Sequence, residues 1–285
     1  MLESEPSRTA FAAASYRAAH QVFEQGRFFK DPVALKILGV DPKTIRQDRE
    51  FHEARRGIRF FVVARANIAE SALKTAVDER EVGQLVVLGA GLDTFAYRNP
   101  FGERLRVFEV DHPATQAWKR RRLSEAGVTV PGNVTYAPMD FERDNLSERL
   151  SLAGLAPNVR TFFTWLGVVP YLTSQAVALT LSQIAAHPAG AEVAFDYTEA
   201  RENIDPALRP QYEERAARVA AAGEPFLSYF APAELHDQLR EFGFRRIKDF
   251  DIPSMLAHLL GQATPSTAAS RQAGGHVLLA STILR

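Results

Sequence analysis

The sequence predicts an α/β fold, in which a doubly wound, mostly parallel sheet of seven strands is flanked by helices. Short, continuous apolar runs such as residues 85–88 suit strands that are buried on both faces of a parallel sheet. Helical stretches alternate with these runs at a spacing of about 25 residues, which is typical of βαβ units. The composition, 46% hydrophobic and 24% charged over 285 residues, is that of an ordinary globular protein.

The segment before the first strand is predicted to be helical. Residues 11–23 are rich in alanine, and residues 58–77 place apolar side chains near a period of about 3.6 residues. Between these two stretches, the Asp-Pro pairs that begin at Asp31 and Asp41 indicate turns or helix starts. We therefore expect residues 1–80 to form a helical N-terminal cap and residues 81–285 to form the sheet domain.

The sheet domain is predicted to begin with five parallel strands. Helices are expected at residues 113–126 and 174–186, and Pro113 suits the first turn of a helix because its missing N–H is not needed there. The strands are expected at residues 85–88, 105–110, 134–139, 160–166 and 192–197.

The last third of the chain is predicted to add an insertion and two more strands. Glutamates and arginines alternate among alanines in residues 198–232, so we expect a helix near 207–222 that folds over the site as a second cap. A helix at 232–242 precedes strands at 244–252 and 276–284, with no helical pattern between those strands. Because the link over 261–275 resembles a loop, the two strands are expected to form an antiparallel hairpin at the end of the sheet.

Charge and composition exclude several classes of function. Lys plus Arg and Asp plus Glu each number 34, so the net charge is zero, whereas proteins that wrap nucleic acid are usually basic. The absence of cysteine excludes disulfides and thiolate metal sites. The sequence contains neither an apolar run of about 18 residues nor the pattern of a signal peptide. We therefore expect a cytoplasmic protein with no membrane partner.

The loop after the first predicted strand is the predicted ligand site, because ligands bind beyond the carboxyl ends of parallel strands. Gly89 and Gly91 flank Ala90 in this loop, so the backbone can turn sharply and approach a ligand closely. A nicotinamide-binding loop needs a third glycine where Thr94 stands, which favours a cofactor without a pyrophosphate. The alternative is a tight strand-to-helix turn with nothing bound.

Two acidic residues end the second predicted strand. Glu109 and Asp111 follow Gly89 by 20 and 22 residues, and acids at this position accept hydrogen bonds from ribose hydroxyls. Since they are two residues apart on a strand, both point to the same face of the sheet, and one of them can face the ligand. The alternative is that either acid only caps the helix that begins at Pro113.

Several segments together resemble the leucine carboxyl methyltransferase-like family. This family is a branch of the class I S-adenosylmethionine-dependent methyltransferases that includes polyketide O-methyltransferases and many bacterial proteins, and the resemblance implies their Rossmann-like fold. The most specific segments are LGAGLDTFAYR at 88–98, FEVDHP at 108–113 and WKRRRL at 118–123. Shorter matches are SRTA at 7–10, FTWLG at 163–167, PYL at 170–172 and FDY at 195–197.

The resemblance implies S-adenosylmethionine as the cofactor and assigns residues to it. The glycine loop would hold its methionine part, Asp111 its ribose, Arg65 its carboxylate, and the Asp140–Phe141 pair its adenine. Some relatives carry Glu where Leu166 stands here, so Trp165 would pack against the adenosine or the sulfonium instead. Taken with the spacing argument for Glu109, the predicted cofactor-binding residues are Arg65, Gly89, Ala90, Gly91, Glu109, Asp111, Asp140, Phe141 and Trp165, and the candidate acceptor-binding residues are Arg8, Tyr171 and Tyr197.

The expected reaction is transfer of a methyl group to a carboxyl or hydroxyl oxygen of a small molecule. The sulfonium activates the methyl group, so the protein chiefly aligns the reactants and excludes water. The seven histidines are scattered without metal-ligand spacing, so no metal and no catalytic base are predicted. Phe226, Tyr229 and Phe230 favour an aromatic or apolar acceptor. The alternatives are a nicotinamide-dependent oxidoreductase and a non-catalytic cofactor-binding protein. The sequence does not indicate an oligomeric state.

Overall fold

The computed structural model describes residues 7–221, 223–262 and 274–283. Over residues 8–79 the chain is helical, as predicted, and Asp31 and Asp41 are both N-caps followed by proline at the first helical turn. The five helices are α1 (Arg8–Phe23), α2 (Pro32–Leu38), α3 (Pro42–Gln47), α4 (Arg49–Ala54) and α5 (Arg56–Glu79). In the described part of the chain, no helix combines the length and the apolar character needed to cross a bilayer.

The seven described strands form one sheet, as predicted, in the order β3-β2-β1-β4-β5-β7-β6. The first five are parallel, and β7 lies antiparallel to both β5 and β6. The strands are β1 (Gln84–Leu88), β2 (Arg106–Asp111), β3 (Val134–Pro138), β4 (Thr161–Trp165), β5 (Ala191–Thr198), β6 (Arg246–Phe250) and β7 (Gly275–Ser281).

Helices cover both faces of this sheet. On one face, α7, α8 and α10 pack on an apolar cluster that includes Val86 and Leu88 of β1, and on the other face α5 packs on a cluster that includes Leu85 and Val87. The run at 85–88 is apolar throughout because both faces of β1 are buried. The remaining helices are α6 (Pro113–Glu125), α7 (Leu146–Leu152), α8 (Ser174–Ala185), α9 (Arg209–Ala221), α10 (Pro232–Phe242) and α11 (Ile252–Leu260).

The helix α11 corrects the prediction that no helix lies between the last two strands. Asp251 caps it by accepting a hydrogen bond from the Ser254 N–H at 2.9 Å, and Gly261 ends it in the left-handed conformation. Its buried Met255 packs with residues of α5, β6 and β7. The apolar stretch at 252–260 is thus a short helix with one buried face, and most of the predicted loop at 261–275 lies outside the described residues.

Candidate functional site

The sheet reverses its strand order between β1 and β4, whose carboxyl ends lie side by side. The loops that follow these two strands touch, because a Cβ atom built on Gly89 would lie 2.2 Å from Val168 Cγ2. Gly89 also has a φ of +62°, which disfavours any side chain. Glycine is therefore required at position 89 because the two loops that border the reversal point approach each other closely. Open α/β sheets bind ligands at this point.

The helix α1 forms a wall beside the glycine loop. A Cβ atom built on Gly91, whose φ is +43°, would lie 2.9 Å from the Cβ of Ala10 in α1. Arg17, also in α1, donates a hydrogen bond to the Leu92 carbonyl at 2.6 Å and pairs with Asp31 at 2.9 Å. The loop is thus held against a helix from the start of the chain, the part of the chain that is predicted to form a helical cap.

Asp111 lies beside the glycine loop, as the sequence predicts. One carboxylate oxygen accepts a short hydrogen bond from the Gly91 N–H, and the other accepts one from the His112 N–H at 2.7 Å. The residue is 7% exposed, and burial raises the pKa of its carboxyl group although the two N–H groups oppose the increase. The alternative of a helix-capping role does not apply to Asp111, since His112 is the N-cap of α6.

Glu109 requires a correction, because its carboxylate is held by largely buried side chains, one of which, Lys119, also donates a hydrogen bond to the Ala90 carbonyl of the glycine loop at 3.4 Å. Its carboxylate accepts hydrogen bonds from Lys119 Nζ at 2.8 Å and from the Tyr97 hydroxyl at 2.9 Å. Both members of the Glu109–Lys119 pair are 1% exposed. Burial raises the pKa of Glu109, and the Lys119 charge opposes that increase. The structure therefore gives Glu109 a buried structural partner in place of the predicted contact with a cofactor.

Arg65 lies on the far side of the reversal point, where it meets a carboxylate that sequence reasoning missed. Its Nη1 is 2.8 Å from Asp196 Oδ2 at the end of β5, and both side chains are largely buried. The other oxygen of Asp196 accepts a hydrogen bond from the Gly167 N–H at 2.5 Å, in the loop after β4. The site thus presents one cation and one anion as neighbours. The available signal for Asp196 was an acid near the end of a predicted strand.

Trp165 and Phe141 lie together at the ends of β3 and β4, with their rings stacked 5.8 Å apart. Trp165 is fully buried, so the expected contact between its ring and a ligand is replaced by the contact with Phe141. Its Nε1 is a buried donor with no partner in the described residues. Asp140 lies nearer the surface and pairs with Arg143 at 3.7 Å. Leu166 packs against the apolar cluster on the α5 face.

Tyr197 requires a second correction, since it is buried in a charged network on the β6–β7 side of the sheet. Its hydroxyl donates a hydrogen bond to Asp249 at 2.6 Å, and its ring stacks on His276 at 4.8 Å. His276 also contacts Asp249 at 3.1 Å and Glu199 at 2.9 Å, through different ring nitrogens. With its hydroxyl and its ring both engaged by protein groups, Tyr197 does not line the candidate site.

The network around His276 gives the folded protein a predicted pH dependence. Burial would lower the pKa of His276, but its hydrogen bonds with Asp249 and Glu199 outweigh burial and raise the pKa to about 9. Because the folded pKa exceeds the unfolded value, the stabilisation is complete below about pH 6.5 and is lost as the pH rises through about 9. We expect the free energy of unfolding to fall by about 2 kcal/mol from about pH 7 to about pH 9.5.

Urea denaturation across this pH range measures that decrease. His20, His52 and His258 do not contribute to this decrease, because burial lowers the pKa of each of them and they have lost their proton below this pH range. A His276→Asn variant lacks the titrating group and should show a flatter profile. An equal slope in this variant and in the parent protein would contradict the assignment.

Tyr171 and Arg8, the other candidate acceptor-binding residues, lie at the border of the site. Tyr171 follows β4, contacts the Phe226 ring at 5.4 Å, and is neutral at physiological pH because burial raises its pKa to about 12. Arg8 is the exposed first residue of α1. The next N–H in this helix, that of Thr9, donates a hydrogen bond to Glu224 at 2.8 Å and links α1 to the segment after α9.

Comparisons with known proteins identify a family for most of the chain. A family model described as leucine carboxyl methyltransferase matches residues 10–185. A Bacillus subtilis protein, YktD, named as an S-adenosyl-L-methionine-dependent methyltransferase, is 32% identical over 270 residues, which cover 85% of this chain and 88% of YktD. A protein from Mycolicibacterium smegmatis with the same type of name is 29% identical over 76% of this chain and 75% of its own length.

Two solved structures share the fold. One is named as a methyltransferase from Thermobifida fusca, with a TM-score of 0.58, 15% identity and coverage of 97% of this chain and 95% of that chain. The other is a DUF574 family protein from Streptomyces avermitilis, with a TM-score of 0.55, 15% identity and coverage of 94% and 97%, respectively. At this level of identity the likeness concerns the fold alone.

Proposed function

Because this chain belongs to the leucine carboxyl methyltransferase family, whose model matches residues 10–185, we propose that it methylates a carboxyl or hydroxyl oxygen of a small molecule. The protein is an S-adenosylmethionine-dependent methyltransferase, and its fold is the Rossmann-like fold of that class. The observation that carries the proposal is the contact between Asp111 and the glycine loop at the reversal point of the sheet.

The residues at this point fit the cofactor chemically. Asp111 is an acid at the end of β2, the position from which carboxylates hydrogen-bond to ribose hydroxyls. The amino-acid end of the cofactor is a zwitterion, and the adjacent Arg65 and Asp196 offer one cation and one anion to it. We propose that Asp111 binds the ribose and that Arg65 binds the carboxylate, with Gly89 and Gly91 shaping the loop between them.

The bound cofactor supplies a methyl group already activated by its positive sulfonium. The protein therefore has to hold the acceptor oxygen in line and exclude water. A carboxylate acceptor is ionised at neutral pH and needs no base, and we assign none. The histidine nearest to Asp111 in sequence is His112. Its Nδ1 accepts a hydrogen bond from the Ala114 N–H at 3.3 Å, and His112 is the N-cap of α6.

We propose that the N-terminal helices and residues 198–232 together form the wall of the acceptor pocket. The hydrogen bond between the Thr9 N–H and Glu224 joins these two segments. The Leu227 N–H donates to the Pro170 carbonyl at 2.7 Å, and the Phe230 N–H donates to the Thr198 carbonyl at 3.0 Å. The segment after α9 is thus fixed across the ends of β4 and β5, beside the candidate site.

The two alternative functions receive less support. A nicotinamide-binding loop would need glycine at Thr94, whereas this side chain is fully buried and accepts a hydrogen bond from Arg98 Nε at 3.1 Å. Leu166, which replaces the glutamate of some relatives, packs in an apolar cluster where a carboxylate would be desolvated. The presence of leucine in place of glutamate therefore fits the local packing, and it does not by itself favour a non-catalytic protein.

The test is transfer of a deuterated methyl group from S-adenosylmethionine to a panel of aromatic acids, aliphatic acids and phenols. Mass spectrometry should detect a methylated product whose formation matches that of S-adenosylhomocysteine. Alkaline hydrolysis then separates a methyl ester, formed on a carboxyl group, from a methyl ether. Methylation confined to nitrogen, sulfur or carbon atoms would contradict the proposal, as would binding of a nicotinamide cofactor in preference to S-adenosylmethionine.

A further inference from the structure

Arg215 differs from the other arginines that lie in the interior of the protein. Five arginines with largely buried side chains each contact a carboxylate, as buried charges generally do. These pairs are Arg17–Asp31, Arg59–Glu24, Arg65–Asp196, Arg80–Glu192 and Arg98–Glu70. Arg215 is partly buried, and this burial lowers its pKa. Within the described ranges, however, no carboxylate lies at ion-pair distance from it.

The guanidinium of Arg215 lies beside an aromatic wall. Its central carbon is 5.2 Å from the centre of the Phe226 ring. Phe226 in turn contacts the Tyr171 ring at 5.4 Å and the Tyr229 ring at 6.4 Å. The Ser228 hydroxyl donates a hydrogen bond to the Val169 carbonyl at 2.9 Å, which fixes this segment over the loop after β4. Arg215 and the three rings are thus parts of one anchored surface.

The same guanidinium belongs electrostatically to the candidate site. The groups whose charges act on it are Tyr171, Asp196, Tyr212 and Arg65. Of these, Asp196 already binds Arg65, and among the described residues the charge on Arg215 is left without an ion pair. Tyr171 and Tyr212 do not compensate this charge, because burial raises the pKa of each phenol to about 12 and keeps both neutral.

We propose that Arg215 binds the carboxylate of the methyl acceptor and that the acceptor is an aromatic acid whose ring packs against Phe226 and Tyr171. The planar guanidinium can form two parallel hydrogen bonds with a carboxylate, and the neighbouring rings offer an apolar surface for an aromatic group. This inference rests on the proposed function, because it assigns the acceptor of the same site.

The charge of the cofactor strengthens the argument. Its sulfonium adds a further positive charge, while Asp196 is already paired with Arg65. An acid supplies a negative charge that can pair with the guanidinium of Arg215, whereas a neutral acceptor does not. Anions are therefore attracted to this pocket and neutral analogues are not.

The test measures equilibrium binding without turnover, by calorimetry in the presence of saturating S-adenosylhomocysteine. The probes are benzoate, phenylacetate, 4-hydroxybenzoate and indole-3-acetate, each paired with its neutral amide. The variants are Arg215→Gln, which removes the charge, and Arg215→Lys, which keeps the charge but loses the planar fork. The matched control is Arg218→Gln on the same helix, because Arg218 is exposed and pairs only with Glu214 among the described residues.

We expect the parent protein to bind at least one acid more tightly than its amide. Arg215→Gln should weaken that binding about 10- to 100-fold, and Arg215→Lys should recover part of the loss. Neither variant should change the affinity for S-adenosylhomocysteine by more than about twofold. Since Arg215 lacks a carboxylate partner, Arg215→Gln should also leave the melting temperature unchanged or higher, and Arg218→Gln should leave acid binding unchanged.

Several results would overturn the inference. They are equal binding of acids and amides, failure of every acid to bind, or a loss of S-adenosylhomocysteine affinity in Arg215→Gln as large as the loss for the acid. The last result would assign Arg215 to the carboxylate of the cofactor. The proposed function fails separately, since binding of acids through Arg215 with no oxygen of any compound methylated would contradict that function and leave Arg215 only a binding role. Methylation of phenols with no acid bound would contradict only the inference.

Discussion

Asp111→Asn is expected to weaken the binding of S-adenosylhomocysteine about 10- to 100-fold while leaving the protein folded. An ionised carboxylate forms hydrogen bonds of about 1.5–3 kcal/mol with hydroxyl or N–H donors, roughly twice the strength of those formed by a neutral amide. In the parent protein, Asp111 accepts hydrogen bonds from the N–H groups of Gly91 and His112. The variant places an NH₂ group, itself a donor, near these two donors. Isothermal titration calorimetry measures the affinity, and thermal denaturation reports the fold.

The matched control for this prediction is Asp237→Asn. Asp237 is exposed and pairs with Arg240 on the surface of α10, away from the glycine loop. This variant should bind S-adenosylhomocysteine as the parent protein does. If Asp111→Asn binds with parental affinity, Asp111 does not hold the ribose, and the proposed cofactor position is wrong.

Glu109→Gln is expected to reduce the free energy of unfolding by about 3 kcal/mol. The substitution removes the counterion of Lys119, whose ammonium is 1% exposed and has Glu109 as its ion-pair partner in the described structure. Removing one partner of a buried pair is strongly destabilising, because the other charge remains uncompensated. Urea denaturation measures the loss, and S-adenosylhomocysteine affinity measured on the folded fraction should stay close to parental.

A double-mutant cycle with Lys119→Met tests the origin of this loss. The double variant removes both charges, so it should be more stable than Glu109→Gln alone. Strict additivity of the two single losses would show that the pair is not coupled. If Glu109→Gln instead keeps parental stability but loses cofactor affinity, Glu109 would return to the role that the sequence suggested.

The fold was largely predictable because its strands carry strong local signals. Residues 85–88 are apolar throughout, which predicts a strand buried on both faces, and β1 is such a strand. The helix α11 was missed because its nine residues are few, and a short apolar run is hard to assign to a helix or a strand from sequence. The strand order was not predicted, because it depends on contacts between segments far apart in sequence.

The site was predictable only where its parts are close in sequence. Gly89, Gly91 and Asp111 lie on two consecutive strands and their loops, so their proximity follows from the topology. Because side chains alternate between the two faces of a strand, the sequence predicts Glu109 on the same face as Asp111. This pattern does not show that Lys119 forms an ion pair with Glu109 and not with Asp111. The contact of Arg65 with Asp196 spans 131 residues, and no local pattern indicates it.

The contact of α1 with the glycine loop means that a helix from the start of the chain completes the surroundings of that loop. Ala10 lies against Gly91, while the Thr9 N–H reaches Glu224 in the segment after α9. Fragments for crystallisation or fusion that start near residue 81 would carry the loop without the helix that covers it. A change in the segment at 224–230 therefore reaches the first turn of α1, because Glu224 accepts the hydrogen bond of the Thr9 N–H.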